Sequence, residues 1–71
     1  MTELQKEIVL KLCDCNMKIT AVAREMHYYH ESIRQHVRKI KEKTGLDPRC
    51  FYDLIKLRKM ILAERGILDE N

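Results

Sequence analysis

The segment from His30 to Thr44 reads HESIRQHVRKIKEKT. Its apolar residues are Ile33, Val37 and Ile40, spaced by four and three residues, and every other position is polar or charged. This spacing places the three side chains on one narrow stripe of an α-helix. Gly45 follows the segment, and a glycine at that place commonly closes a helix in the left-handed conformation. We therefore predict one amphipathic helix over 30–44, with its stripe buried and its remaining surface open to solvent or to a partner.

The same segment carries the whole excess charge of the chain. Between His30 and Lys43 there are five basic and two acidic residues, which gives +3, and the formal net charge of all 71 residues is also +3. A local excess of this kind is expected of a surface that meets a polyanion. A helix face that is simply solvated stays open as the alternative, because charge alone does not separate the two.

The sequence before this segment predicts two further helices. The first spans about Thr2–Asp14, and its first residue fits a capping box with Gln5. The second is short, about Thr20–Met26, with Thr20 as its N-cap. Residues 27–30, His-Tyr-Tyr-His, interrupt the helical pattern and form the predicted turn.

A fourth helix is predicted over about 48–65, with Asp47 as N-cap and Pro48 at the first helical position. It carries more apolar residues than one face can hide in so small a core, so we expect some of that surface to meet another subunit, as in a homodimer, or another domain. The predicted fold class is all-α, a small bundle of about four helices. The chain is short enough for a single domain, 1–71.

A short helix, a turn and an amphipathic basic helix over about 19–44 fit a helix-turn-helix. That motif needs a small residue where the two helices approach, here Ala23, and an apolar residue that fills the angle at the turn, here Tyr28. The second helix of such a unit enters the major groove of double-stranded DNA. The sequence therefore predicts a sequence-specific DNA-binding module of a transcriptional regulator.

The residues of this unit resemble a known family. The matching stretches are Ile19–His27 (ITAVAREMH), His30–Arg34 (HESIR), Ile40 and Thr44–Asp47 (TGLD). They are similar to the C-terminal helix-turn-helix of PucR-type regulators and, more distantly, to the Fis-like DNA-binding domain. The resemblance covers about residues 9–60 and implies a helical bundle that binds DNA as a dimer and activates or represses metabolic operons.

The docking geometry of the motif also predicts which residues meet DNA. Arg34 can pair with guanine, Gln35 with adenine, and Glu31 can accept from cytosine. A purely structural role for Glu31, at the positive end of the helix or paired with a neighbour, stays open. Ser32 and Thr20 suit phosphate contact or helix capping. The predicted DNA-binding residues are Thr20, Tyr29, His30, Glu31, Ser32, Arg34, Gln35, Arg38 and Lys39.

Other functional classes find little support in the sequence. It has no glycine-rich phosphate loop, nucleophile elbow or HExxH motif, so an enzyme is not predicted. Cys13 and Cys15 lack the usual spacing of zinc ligands, and no metal, cofactor or small-molecule ligand is predicted. No apolar run reaches the roughly 18 residues that a membrane helix needs, and three cysteines, an odd number, indicate a reducing, cytoplasmic compartment. The alternative function is a helical interaction module whose fourth helix docks on a partner protein, without DNA binding.

Overall fold

A computed structural model of the chain describes residues 1–66. Four α-helices follow one another: α1 Glu3–Asp14, α2 Ile19–Met26, α3 His30–Thr44 and α4 Phe51–Glu64. All regular secondary structure within these residues is helical. The predicted all-α bundle of four helices is confirmed.

The centre of the bundle is α1, which packs against α2, α3 and α4, while α2 also packs against α3. The predicted capping box starts this helix, since Thr2 Oγ1 accepts the Gln5 N–H and Gln5 Oε1 accepts the Thr2 N–H, both at 3.1 Å. The inward face of α1 joins the other three helices in one apolar core. That core consists of Ile8, Val9, Leu12, Cys15, Val22, Ala23, Ile33, Val37, Ile40, Leu54, Leu57 and Ile61.

Two ion pairs reinforce the contacts of α1 with its neighbours. Lys11 Nζ donates to Glu25 Oε1 of α2 at 3.1 Å, and this hydrogen bond holds the pKa of the Glu25 carboxyl below its ordinary value. Lys6 Nζ lies 2.7 Å from Glu64 Oε1 of α4. Pairs at the protein surface contribute little free energy. These two pairs therefore add little to contacts that apolar burial already holds together.

The start of α2 differs from the prediction. The helix begins at Ile19, its N-cap is Lys18, and no side chain caps it. Thr20 is therefore not the N-cap but the second residue of the helix. Since Ile19 packs against the core, its burial within the first turn outweighs the capping preference of the threonine.

The predicted start of α4 at Pro48 is also wrong, because α4 begins at Phe51 after the N-cap Cys50. Asp47 caps a turn instead: its Oδ1 accepts the Arg49 N–H and its carbonyl accepts the Cys50 N–H, both at 2.9 Å. Asp and Pro favour turns as strongly as helix starts, so the local signal fits both structures.

The turn between α2 and α3 is closed by the backbone and not by an aromatic plug. The Tyr28 side chain is 44% exposed, so its predicted role between the helices is wrong. The Tyr28 N–H donates to the Ala23 carbonyl at 2.9 Å, and His27 adopts the left-handed conformation at φ 61° and ψ 41°. Val22 and Ile33, both fully buried, belong to the same apolar core as Ala23.

Because His27 has a left-handed backbone conformation, its replacement by glycine is expected to stabilise the domain. A side chain with a Cβ is disfavoured at positive φ, so His27→Gly is expected to raise the free energy of unfolding by about 0.5–1 kcal/mol in urea denaturation. Gly45→Ala is the matched opposite, because Gly45 has φ 76° in open space, and it should lower stability by about 1 kcal/mol. A glycine at 27 that destabilises the domain would contradict this explanation.

Candidate nucleic-acid interface

The helix α3 has the bounds and the stripe that its sequence predicts. Ile33, Val37 and Ile40 are 0%, 4% and 0% exposed and point into the core. Gly45 ends the helix in the left-handed conformation, and its N–H donates to the Lys41 carbonyl at 2.8 Å. The charged side chains of the helix lie at the surface. The buried stripe thus holds α3 to the core while its cationic side chains face solvent.

One side of α3 lines an open groove of about 420 Å³. Because residues three and four apart share a side of a helix, Arg34, Arg38 and Lys41 form one row along this groove. We call these three residues the arginine flank. The other wall is formed by the start of α2 and the loop between α3 and α4, through Ile19, Asp47 and Arg49. The groove therefore holds four cationic side chains and one carboxylate.

Asp47 connects cations that come from two different elements. Its Oδ2 lies 3.8 Å from Lys41 Nζ on α3, and its Oδ1 lies 3.7 Å from Arg49 Nε on the loop. The Asp47 N–H donates to Asp53 Oδ2 at 3.0 Å, which holds the loop against the first turn of α4. The Asp47 side chain is 24% exposed, whereas those of Lys41 and Arg49 are 58% and 65% exposed. The carboxylate is thus held in place while the cations extend into solvent.

The structure brings two of the predicted DNA-binding residues, Arg34 and Arg38, together in this groove. Glu31 lies one turn before Arg34, with 4.0 Å between Glu31 Oε1 and Arg34 Nη1. Both side chains are more than half exposed, so this contact is weak and leaves both free to meet another partner.

The other predicted residues lie outside the groove. Ser32, Gln35 and Lys39 are spaced by three and four residues and share a second side of α3, which we call the polar flank. Tyr29 is the N-cap of α3 and is 85% exposed. His30 is the first residue of α3, and it is exposed like Thr20 on α2. The predicted set therefore spreads over two sides of α3 and the end of α2 nearest the groove.

Sequence reasoning did not select Lys41 and Arg49, which complete the cationic lining of the groove. Lys41 follows Arg34 by seven residues and Arg38 by three, so helical spacing alone could have placed it in that row. Arg49 follows the end of α3, and only the turn at Asp47 brings it back toward the helix. No periodic pattern in the sequence indicates that return.

The cysteines and histidines form no competing site in the described part of the chain. Among residues 1–66, no group of three or more His, Cys, Asp or Glu side chains is arranged to hold a metal ion. Burial raises the pKa of the Cys15 thiol, which lies 3.5 Å from Glu25 Oε2, and a raised pKa makes a thiol less reactive. No helix in the same range is long and apolar enough to cross a bilayer.

Comparison with known protein families gives a match over most of the chain. Residues 7–63 match the family model described as the PucR C-terminal helix-turn-helix domain. The searches of curated proteins and of solved structures gave no match. The matched region begins within α1, contains α2 and α3 whole, and ends one residue before the end of α4. Because the match extends over most of its length, the chain belongs to the PucR C-terminal helix-turn-helix domain family.

Proposed function

We propose that this chain binds a specific sequence of double-stranded DNA, with α3 in the major groove, as the DNA-binding module of a transcriptional regulator. Membership of the family implies a DNA-binding regulator domain. The observation that carries the proposal further is the division of α3 into a fully buried stripe and an exposed cationic surface. A recognition helix needs this division, because it must be held rigidly while its polar side chains reach the bases.

Within α3, the proposal gives the base contacts to the exposed side chains of its first half. Arg34 can form two hydrogen bonds to guanine, and Gln35 can do the same with adenine. Glu31 lies between these two sides of the helix and can accept from cytosine. Thr20, near the start of α2, and Tyr29 and His30, at the start of α3, are suited to phosphate. A regulator of this kind works on DNA in the cytoplasm, and we propose no catalytic role and no bound cofactor.

The test is binding to duplex DNA over a range of salt concentrations. A labelled random-sequence duplex is titrated with the protein, and fluorescence anisotropy is followed at several concentrations of potassium chloride. Binding through phosphates releases counterions, so the logarithm of the association constant should fall linearly with the logarithm of salt. Selection of bound sequences from a random pool then identifies the preferred site. A chain that binds no duplex at low salt, or that selects no sequence, is not the proposed module.

We also propose that the protein binds DNA as a homodimer through α4. Phe51 and Tyr52 are 57% and 74% exposed, and their rings make an edge-to-face contact with centroids 5.6 Å apart. Ile55 continues this surface one turn along the helix and is partly exposed. Met60 is also exposed, but nine residues after Phe51 it lies on the opposite side of α4. The aromatic start of α4 is thus the proposed subunit contact.

The subunit contact predicts a change in mass upon loss of the Phe51 ring. Sedimentation equilibrium should give a dimer for the wild-type protein and a monomer for Phe51→Ser, because the ring supplies apolar area at the proposed interface. Met60→Ser, on the opposite side of the same helix, should remain a dimer. Two half-sites about one helical turn apart are expected in the selected DNA. A wild-type protein that stays monomeric at micromolar concentration and on DNA would contradict the contact.

A further inference from the structure

We infer that the groove beside the arginine flank binds the phosphate backbone of a DNA strand, with Lys41 and Arg49 as phosphate contacts and Asp47 as a competing negative charge. The inference rests on the proposed DNA binding and adds to it phosphate contacts from the end of α3 and from the loop that follows. None of these three residues belongs to the set that the helix-turn-helix pattern selected. With these contacts, one part of the interface reads bases and another part holds the DNA backbone.

The shape of the groove favours an extended polyanion over a single small anion. Arg34 and Lys41, at the two ends of the row, lie seven residues apart, which is ~10 Å along a helix. One DNA strand carries a phosphate every ~3.4 Å along the duplex axis, so a strand whose base meets Arg34 can place a phosphate at Lys41. The groove is open to solvent, and Lys41 and Arg49 are both more than half exposed. The backbone of a strand can therefore reach both cations without any opening of the bundle.

The two walls of the groove are fixed relative to one another. The arginine flank belongs to a helix anchored by three buried side chains. The loop that carries Arg49 is held by the Asp47 side chain and by the hydrogen bond from the Asp47 N–H to Asp53. Pro48, fully buried, fastens the same loop to the protein interior. The backbones that carry these cations are therefore fixed before a phosphate binds, so the entropy lost on binding comes mainly from ordering the exposed side chains.

Removal of the Asp47 charge should change the affinity for DNA in a direction that tests phosphate binding by the groove. Its carboxylate lies within 4 Å of Lys41 and of Arg49, so it offsets part of the positive charge that a phosphate would meet. Asparagine in its place removes that charge and keeps an oxygen to accept the Arg49 N–H, so the turn is retained. If the groove binds phosphate, loss of this acidic group strengthens DNA binding. If Asp47 only supports the fold, its loss weakens binding or leaves it unchanged.

The experiment measures the binding of a labelled random-sequence duplex, by anisotropy, between 50 and 200 mM salt, conditions over which counterion release is readily resolved. The variants are Lys41→Gln, Arg49→Gln, their double variant and Asp47→Asn. Lys56→Gln on α4 is the control, because it removes the same charge from a different helix and Lys56 lies about 140° around α4 from Phe51. Urea denaturation of each variant gives its folded fraction, so that binding is compared among folded proteins.

Each single groove variant should lower the magnitude of the salt slope by about 1 and weaken binding roughly 5- to 10-fold at 0.1 M salt. The double variant should lower the slope by about 2, and Asp47→Asn should bind roughly two- to fivefold more tightly. Lys56→Gln should keep the wild-type slope. Wild-type slopes in both groove variants overturn the groove contact and leave the proposed function intact. Weaker or unchanged binding by Asp47→Asn overturns the part given to Asp47, and a wild-type protein that binds no duplex overturns both proposals.

Discussion

Ile33→Ala is expected to lower the free energy of unfolding by about 2–5 kcal/mol, the range for removing a buried aliphatic side chain and leaving a cavity. Ile33 is fully buried and lies in the first half of α3, where it joins the core beside Val22 and Ala23. A domain of 71 residues has only ~4–10 kcal/mol of stability in total. The loss is therefore expected to unfold a large fraction of the protein at 37 °C.

Urea denaturation followed by circular dichroism measures this loss. Ile33→Val is the matched control, since it removes one methylene group and should cost about 0.5–1.5 kcal/mol. DNA binding should decline in proportion to the folded fraction, because α3 is held in place by the stripe to which Ile33 belongs. A loss of less than about 0.5 kcal/mol, the usual range for a surface site, would show that Ile33 does not anchor the helix.

Arg34→Ala is expected to weaken binding to the selected DNA sequence by about 1–3 kcal/mol, or roughly 5- to 150-fold, if Arg34 pairs with a base through two hydrogen bonds. Binding to random duplex should fall much less, so the ratio of specific to non-specific affinity decreases. Arg34 is exposed on α3, and its contact with Glu31 spans 4.0 Å. Its removal should therefore leave the free energy of unfolding within about 0.5 kcal/mol of wild type.

Arg34→Lys separates charge from geometry at the same position. Lysine keeps the positive charge but lacks the planar fork that makes two parallel hydrogen bonds. We expect it to retain the salt slope and to lose much of the sequence preference, as measured by competition between the selected site and random duplex. If Arg34→Ala keeps its full preference for the selected site, the base contact belongs to another residue, and the polar flank is the next set to test.

Lys41→Gln and Arg49→Gln, in the groove, are expected to change DNA affinity in a different way from the changes at Arg34. Phosphate contacts carry no sequence information, so their loss weakens all duplexes alike. A base contact mainly changes the preference among sequences. Comparing Arg49→Gln with Arg34→Ala on the same two duplexes thus separates the phosphate contact from the base contact.

Most of the helical architecture could be predicted from the sequence because its signals are local. The capping box at Thr2 and Gln5, the stripe of α3 and the glycine at 45 each lie within one or two helical turns. Periodicity of this kind indicates both a helix and the face that it buries. Predictions were wrong where a local signal fits two structures, as at Asp47. They were also wrong where the position of a side chain depends on neighbouring elements, as at Tyr28.

By itself, the sequence determined that α3 is a helix, that Ile33, Val37 and Ile40 hold it to a core, and that the net positive charge resides in it. These properties follow from residues three and four apart, whose relation is set by helix geometry. The groove was decided only by the tertiary structure, because it joins α3 to Ile19 and Arg49 from other elements. Their approach depends on how the loops turn and how the helices pack, and the spacing of residues along the chain does not encode those distances.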